Sequence, residues 1–333
     1  LKRTQSSDAL LEVQNLAVEF RRSEDIVHAV NGISFSVERG KVLGIVGESG
    51  SGKSVAMMSV IGLLRSNGTI KSGSALFEGK DLLRMSQRQL RHIRGRQIGV
   101  IFQDPMTSLN PYMRVGDQIM EVMLEHHYGT TKQAFDRTIS LLTELGISEP
   151  RKRFRNYPHE FSGGMRQRIM IAMAMACEPD LIIADEPTTA LDATVQMQIL
   201  DLLKRVQKQR NMSIVMITHD FGVATNFCHK ILVLYAGQVM EVADTRTFIS
   251  NPAHPYTRGL RNSVIELGQR GRKLEAIPGM TPTLTSPPTS CSFADRCPLV
   301  SDQCRVELPK LREIGEGHLV SCHRAEEVIS HGY

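Results

Sequence analysis

Five apolar residues, Val42-Leu43-Gly44-Ile45-Val46, run directly into Gly47-Glu48-Ser49-Gly50-Ser51-Gly52-Lys53-Ser54, a complete G-x-x-x-x-G-K-S loop. A short buried strand followed by such a loop commits the chain to an α/β core, with a helix expected to start near Lys53. Gly47, Gly50 and Gly52 let the backbone turn tightly and aim its N–H groups at phosphate oxygens, and the helix adds its positive end. Lys53 is expected to meet the β- and γ-phosphates, and Ser54 to offer its hydroxyl to Mg²⁺. The rival reading is a glycine-rich turn before an ordinary helix. The complete motif in this setting weighs against it.

Three further apolar runs end in polar residues, and open α/β sheets gather ligands at the carboxyl ends of their strands. Leu181-Ile182-Ile183-Ala184 leads to Asp185-Glu186. Asp185 can hold Mg²⁺ through water and Glu186 can orient or deprotonate the attacking water, although two adjacent acids also suit a solvated turn. Ile214 to Thr218 ends at His219, placed to sense a γ-phosphate, and Ile98 to Phe102 ends at Gln103, whose amide can meet Mg²⁺ or water. Alone, His219 fits a structural role at least as well, and a loop glutamine such as Gln103 is more often structural. Val115 to His126 and Lys132 to Leu145 carry helical apolar spacing between Asp104 and Glu160.

A chain of 333 residues with 41% hydrophobic content suffices for one large α/β domain and a modest second unit. The net charge of +5 is too small to point to nucleic acid. No apolar run approaches the 18 or so residues of a membrane span, and Leu1 to Asp8 lack a signal-peptide core, so the protein is expected in the cytosol unless a partner holds it at a membrane. Eight of the 14 prolines lie beyond residue 250. A domain border is expected near there, with a loose linker at about 281–290.

The segment Phe161-Ser162-Gly163-Gly164-Met165-Arg166-Gln167-Arg168 places a serine and two glycines before a helix, so that a hydroxyl and N-terminal backbone donors can face phosphate. It resembles the signature of the ATP-binding-cassette family, and the likeness continues through Asp185 to Asp192 and at His219. The resemblance implies a P-loop nucleotide-hydrolase core with an antiparallel β subdomain and a helical subdomain at about 104–175. Together these make a cassette over 10–250, with a C-terminal extension over 251–333. Residue by residue, Gly47 to Ser54 resembles the Walker A loop, Gln103 the Q-loop glutamine, Ser162, Gly163 and Gly164 the signature, and Asp185 the Walker B aspartate. Glu186 is similarly matched to the catalytic glutamate, Asp192 to the D-loop aspartate and His219 to the switch histidine. Phe20 sits where the family often sets an aromatic against adenine, though Leu16, Val18 and Phe20 also read as an alternating strand.

Phe161 and Met165 depart from the commonest signature and resemble the subfamily that energises di- and oligopeptide uptake. Gln103 to Pro111, His254-Pro255-Tyr256-Thr257 and Ile277-Pro278-Gly279 support that likeness. It implies ATP and Mg²⁺ as ligands and a second cassette subunit, a paralogue by preference, whose signature completes the phosphate site. It further implies two membrane-spanning permease subunits and an external substrate-binding protein, with this chain peripheral on the cytoplasmic face of a bacterial cell membrane. Nickel, opines, glutathione and antimicrobial peptides are alternative cargoes. Soluble cassettes of DNA repair or translation form the different-class rival, yet no sustained heptad and no compact basic stripe is present. A cassette that binds ATP without turnover would be expected to lose Lys53, Glu186 or His219, all of which are present.

Four of the six cysteines, Cys291, Cys297, Cys304 and Cys322, fall in the last 43 residues, with intervals of five, six and 17 residues between them. Four thiolates can surround zinc or bind a [4Fe-4S] cluster, and the spacing lacks the C-x₂-C pairs common in zinc sites. Zinc, a cluster, and unligated or disulfide-forming thiols stay open on the residues alone. The stretch Cys291 to Pro298 with Cys304 and Cys322 resembles the cysteine-bearing extension of peptide-transporter cassettes, which implies a [4Fe-4S] cluster in a structural role, with Zn²⁺ as the alternative.

Overall fold

A computed structural model describes residues 9–22, 25–189, 191–263 and 277–331. The chain divides into two compact units. One comprises the residues up to Val37, Val42–Arg84 and the chain from Ile217 onward, and the other comprises Glu38–Lys41 and Met85–Met216.

In the first unit, β1 (Ala9–Arg22), β2 (Asp25–Glu38), β4 (Gly68–Phe77) and β5 (Lys80–Asp81) form a sheet in the order β2-β1-β4-β5. The alternation read at Leu16, Val18 and Phe20 is a strand: Leu11, Val13, Leu16 and Val18 are buried, while Phe20 is half-buried. Beside this sheet in the chain stand β3 (Val42–Val46), all five residues buried, and α1 (Lys53–Val60).

The second unit carries α2 (Gln87–Ile93), β6 (Ile98–Ile101), α3 (Pro105–Ser108), α4 (Val115–Glu125), α5 (Thr131–Glu144), α6 (Pro150–Arg153) and α7 (Gly163–Ala174). β7 (Leu181–Asp185), α8 (Ala193–Arg210) and β8 (Ser213–Thr218) follow. Strands run β8-β7-β6, and β6 pairs in parallel with β7 in the register Ile98 to Leu181. β7 and β8 are buried throughout, as apolar runs at the centre of a parallel sheet require. The two helices expected from periodicity are α4 and α5. They pack with α7 around Val115, Ile119, Met123, Leu141, Leu142 and Ile169, none above 0% exposed.

The chain returns to the first unit with α9 (Phe221–Phe227), β9 (Lys230–Tyr235), β10 (Gln238–Asp244), α10 (Thr245–Ser250) and α11 (Pro255–Asn262). It ends with α12 (Asp302–Val306), β11 (Arg312–Gly315), β12 (His318–Val320) and α13 (Ala325–His331). Within this unit the strands run β11-β12-β10-β9-β3, with β3 parallel to β9 and the remaining pairs antiparallel. The last two strands therefore extend the sheet that carries the phosphate loop. No helix among the described residues is long and apolar enough to cross a membrane.

Candidate functional site

In the first unit, β3 delivers the chain to Gly47, where backbone crowding leaves room for no side chain. A Cβ there would stand 2.1 Å from the Leu234 carbonyl oxygen. Gly52 begins α1 in the left-handed region at φ 98°, and a Cβ on it would meet the Ala29 carbonyl oxygen at 2.4 Å. No side-chain oxygen caps α1, and a helix N-terminus without such a cap suits an anion. Lys53 is only 5% exposed, and its Nζ donates to the carbonyls of Gly47 at 2.7 Å and Glu48 at 2.8 Å. Ser49 and Gly50 are exposed at the loop's crest, Ser51 is buried and Ser54 half-buried.

Glu48 is tied to residues far along the chain. Its N–H donates to the Tyr256 hydroxyl at 2.9 Å, and its carboxylate accepts from Thr281 at 2.6 Å and from both terminal nitrogens of Arg296 at 2.6 and 2.9 Å. Burial alone would raise this carboxyl's pKa, but the hydrogen bonds from Arg296 and Thr281 outweigh it and hold the group below its ordinary value. His219, exposed, follows the buried end of β8, and the next residue, Asp220, caps α9 through Val223 N–H at 3.0 Å. The ring of Phe20 lies over Gly68, where an added Cβ would come within 2.8 Å of it.

In the second unit, Gln103 and Glu186 meet although 83 residues separate them: Gln103 Nε2 donates to Glu186 Oε2 at 3.0 Å. The Thr189 hydroxyl donates to the same oxygen at 2.9 Å. Glu186 takes a left-handed backbone, φ 46°, which costs a residue with a Cβ about 1 kcal/mol and turns its side chain out of the strand line. Asp185 before it is 7% exposed. Ser162 caps α7 by accepting the Met165 N–H at 3.4 Å, and both Ser162 and Gly163 are exposed. A Cβ on Gly164 would stand 2.6 Å from Val195 Cγ1. Asp192 is the N-cap of α8, its carboxylate accepting the Val195 N–H at 3.0 Å.

The four late cysteines line one small, largely enclosed pocket with His254, Phe293, Ala294, Leu299 and Arg324. All six cysteines of the chain are free thiols. Burial pushes the Cys297 thiol up to about 11 and the Cys322 thiol up to about 12, so each would give up its proton only to a strong partner such as a metal. Four sulfurs around one pocket fit a thiolate site in their chemistry. Among the described residues, however, no three His, Cys, Asp or Glu side chains stand close enough to hold one metal ion. The expected cluster thus finds its four thiols in one place but no preformed metal shell.

Thr189 and Arg296 lay within stretches already singled out, Asp185 to Asp192 and Cys291 to Pro298, and Thr281 at the start of the expected linker, but none of them was given a role. Tyr256 lay within a motif already singled out, His254 to Thr257, but without a role.

Residues 30–189 match the ABC transporter family, and residues 240–304 match the C-terminal region of oligopeptide/dipeptide transporters. The chain is 48% identical over 325 residues to the oligopeptide transport ATP-binding protein OppD of Salmonella typhimurium, covering 98% of this chain and 96% of that protein. It is 46% identical over 315 residues to the dipeptide transport ATP-binding protein DppD of Escherichia coli, covering 95% and 96%. Among solved structures, the ATP-binding cassette MJ0796, in a dimeric post-hydrolysis state bound to ADP and Pi, superposes with a TM-score of 0.64. That match has 26% identity and covers 71% of this chain and 99% of that one. Likeness of this extent along nearly the whole chain, on top of the phosphate loop and the paired Gln103 and Glu186, places the protein in the ABC transporter family, among its oligopeptide and dipeptide ATP-binding members.

Proposed function

We propose that this chain hydrolyses ATP to energise the import of di- or oligopeptides through separate membrane-spanning subunits. What carries the reading is that the likeness to peptide-transport ATP-binding proteins runs through the cassette and the C-terminal region alike. The chain works as a peripheral subunit on the cytoplasmic face, paired with a second cassette that is a paralogue, and an external receptor delivers the cargo.

Gly47 to Ser54 cradles the phosphates, and Lys53 shifts from the loop carbonyls to the β- and γ-oxygens. Ser54, Asp185 and the amide oxygen of Gln103 are hard-oxygen donors of the kind that would hold Mg²⁺, the Gln103 nitrogen being engaged by Glu186. When bound, that ion neutralises charge on the phosphate oxygens. Glu186, aimed by Gln103 and Thr189, orients the attacking water and accepts its proton, and His219 contacts the γ-phosphate. Ser162, Gly163 and Gly164 of one cassette complete the phosphate site of the other, Asp192 lies at that junction, and Phe20 stacks on adenine. The dimeric state of the MJ0796 cassette supports a paired arrangement.

For the tail we favour a [4Fe-4S] cluster over zinc. The four-thiol pocket supports a thiolate site, and the preference for a cluster rests on the likeness of Cys291 to Pro298, Cys304 and Cys322 to the extension of peptide-transporter cassettes. Metal analysis and visible spectra of anaerobically purified protein test this: stoichiometric zinc without iron would reverse it. The transport reading is tested with the purified transporter and its receptor. Peptide-loaded receptor is expected to raise ATP turnover several-fold, whereas stimulation only by a nickel chelate or a sugar would contradict the peptide assignment.

A further inference from the structure

Residue Glu48 sets a problem that the phosphate loop must solve. A carboxylate one residue into a loop that accepts a polyphosphate repels its own ligand, and the repulsion grows as the surroundings become less polar. The side chain is 28% exposed, so water screens it only in part. Arg296 answers it. Its side chain is 7% exposed and binds the Glu48 carboxylate through both terminal nitrogens.

The guanidinium is itself held in place from the tail. Its Nε donates to the Pro278 carbonyl at 2.7 Å and a terminal nitrogen reaches the Ile277 carbonyl at 3.3 Å, while the group lies 5.6 Å from the Tyr235 ring centre and 5.9 Å from that of Phe293. Thr281 and Tyr256 fix the rest of Glu48, and the Glu48 carbonyl seats Lys53. The path from the tail to the phosphate-binding lysine therefore passes through one residue.

We propose that Arg296 is a positioning residue for the phosphate loop: from the cysteine-bearing extension it neutralises and orients Glu48, and so sets the affinity of the loop for ATP. The inference rests on Gly47 to Ser54 being the ATP site. Arg296 touches no phosphate. It acts on the loop through the Glu48 carboxylate, and the planar bidentate fork is a geometry that lysine cannot reproduce.

The test is a double-mutant cycle on the full chain, reading the binding of a fluorescent ATP analogue, with KM and kcat for ATP measured on the intact transporter. Arg296→Ala is expected to weaken binding about tenfold and to raise KM with kcat at saturation little changed, because ground-state binding is what is lost. Arg296→Lys is expected to fall between, keeping the charge but not the fork. In the Glu48→Gln background Arg296→Ala is expected to cost less than about twofold, since no charge is left to neutralise. Equal binding by wild type and Arg296→Ala overturns the proposal, as does an equal loss in both backgrounds. Should Arg296→Ala fail to fold, the comparison of Arg296→Lys with Glu48→Gln/Arg296→Lys decides in the same way. Wild-type protein that binds no analogue at all would instead overturn the ATP-site reading.

Discussion

The phosphate loop and the start of α7 both lead through glycines into a helix, and they are built in opposite ways. At the loop, no side chain caps the helix, the lysine is buried, and Glu48 is tied down by four hydrogen bonds from or to residues far along the chain. At α7, Ser162 caps its own helix, and Ser162 and Gly163 stand exposed. A loop that must grip a flexible polyanion gains from donors fixed in advance, because ordering them at the moment of binding would cost affinity. On the proposed reading the start of α7 completes another subunit's site, which asks for accessibility instead, and a self-satisfied cap would keep such a surface folded without its partner.

The largest effect that sharpens this contrast concerns chemistry rather than binding. Glu186→Gln removes the proton acceptor but retains an amide that Gln103 and Thr189 can still hold, so turnover by the assembled transporter is expected to fall about a hundredfold or more with ATP affinity retained. Near-normal turnover would remove Glu186 from its role. Next, Lys53→Ala should lower nucleotide affinity by roughly 30-fold, the loss of charge-assisted bonds to phosphate, measured by titration of the full chain. An unaltered affinity would mean that the fixed loop is not the grip.

Smaller effects probe the other side. Ser162→Ala removes the α7 cap and is expected to lower unfolding stability by about 1 kcal/mol in denaturant titrations. It should reduce turnover in the assembled transporter by a larger factor than it reduces nucleotide binding by the lone chain. Equal factors would place Ser162 in its own chain's site and erase the contrast. The smallest effect is one of pH. The Glu48 pKa is lowered in the fold, so its stabilisation is present above the ordinary carboxylate pKa and is lost as pH falls through the lowered value. The stability advantage of wild type over Glu48→Gln should therefore shrink on acidification below about pH 4, followed by denaturant titration at each pH. An advantage that grew there would reverse the sign of the argument.

What the sequence made legible were the local features. Val42 to Val46 and Leu181 to Ala184 are short apolar runs that read as buried strands, and the period of α4 and α5 reads as helical. What stayed hidden depends on distance or on backbone angles. The run 281–290, expected as a loose linker, contains no helix or strand, yet Thr281 reaches Glu48 and the Leu284 carbonyl accepts the His28 N–H at 2.9 Å. Thr281 lies 233 residues from Glu48 and Arg296 lies 248 from it, so no local pattern encodes either contact. The left-handed turn at Glu186 was equally invisible, since residue type gives no warning of strain in a glutamate. Asp192 shows the converse: a residue noted for a partner interface also has a plain structural task as a helix cap.

Uptake of labelled peptide into proteoliposomes holding the complete transporter, with ATP supplied on the side of this subunit and the loaded receptor on the other, tests the central claim most directly. The account predicts uptake that requires ATP and falls with turnover, about a hundredfold or more, when Glu186 is replaced by glutamine. Peptide uptake that continued at the wild-type rate in that variant, or ATP turnover that moved no peptide, would contradict it.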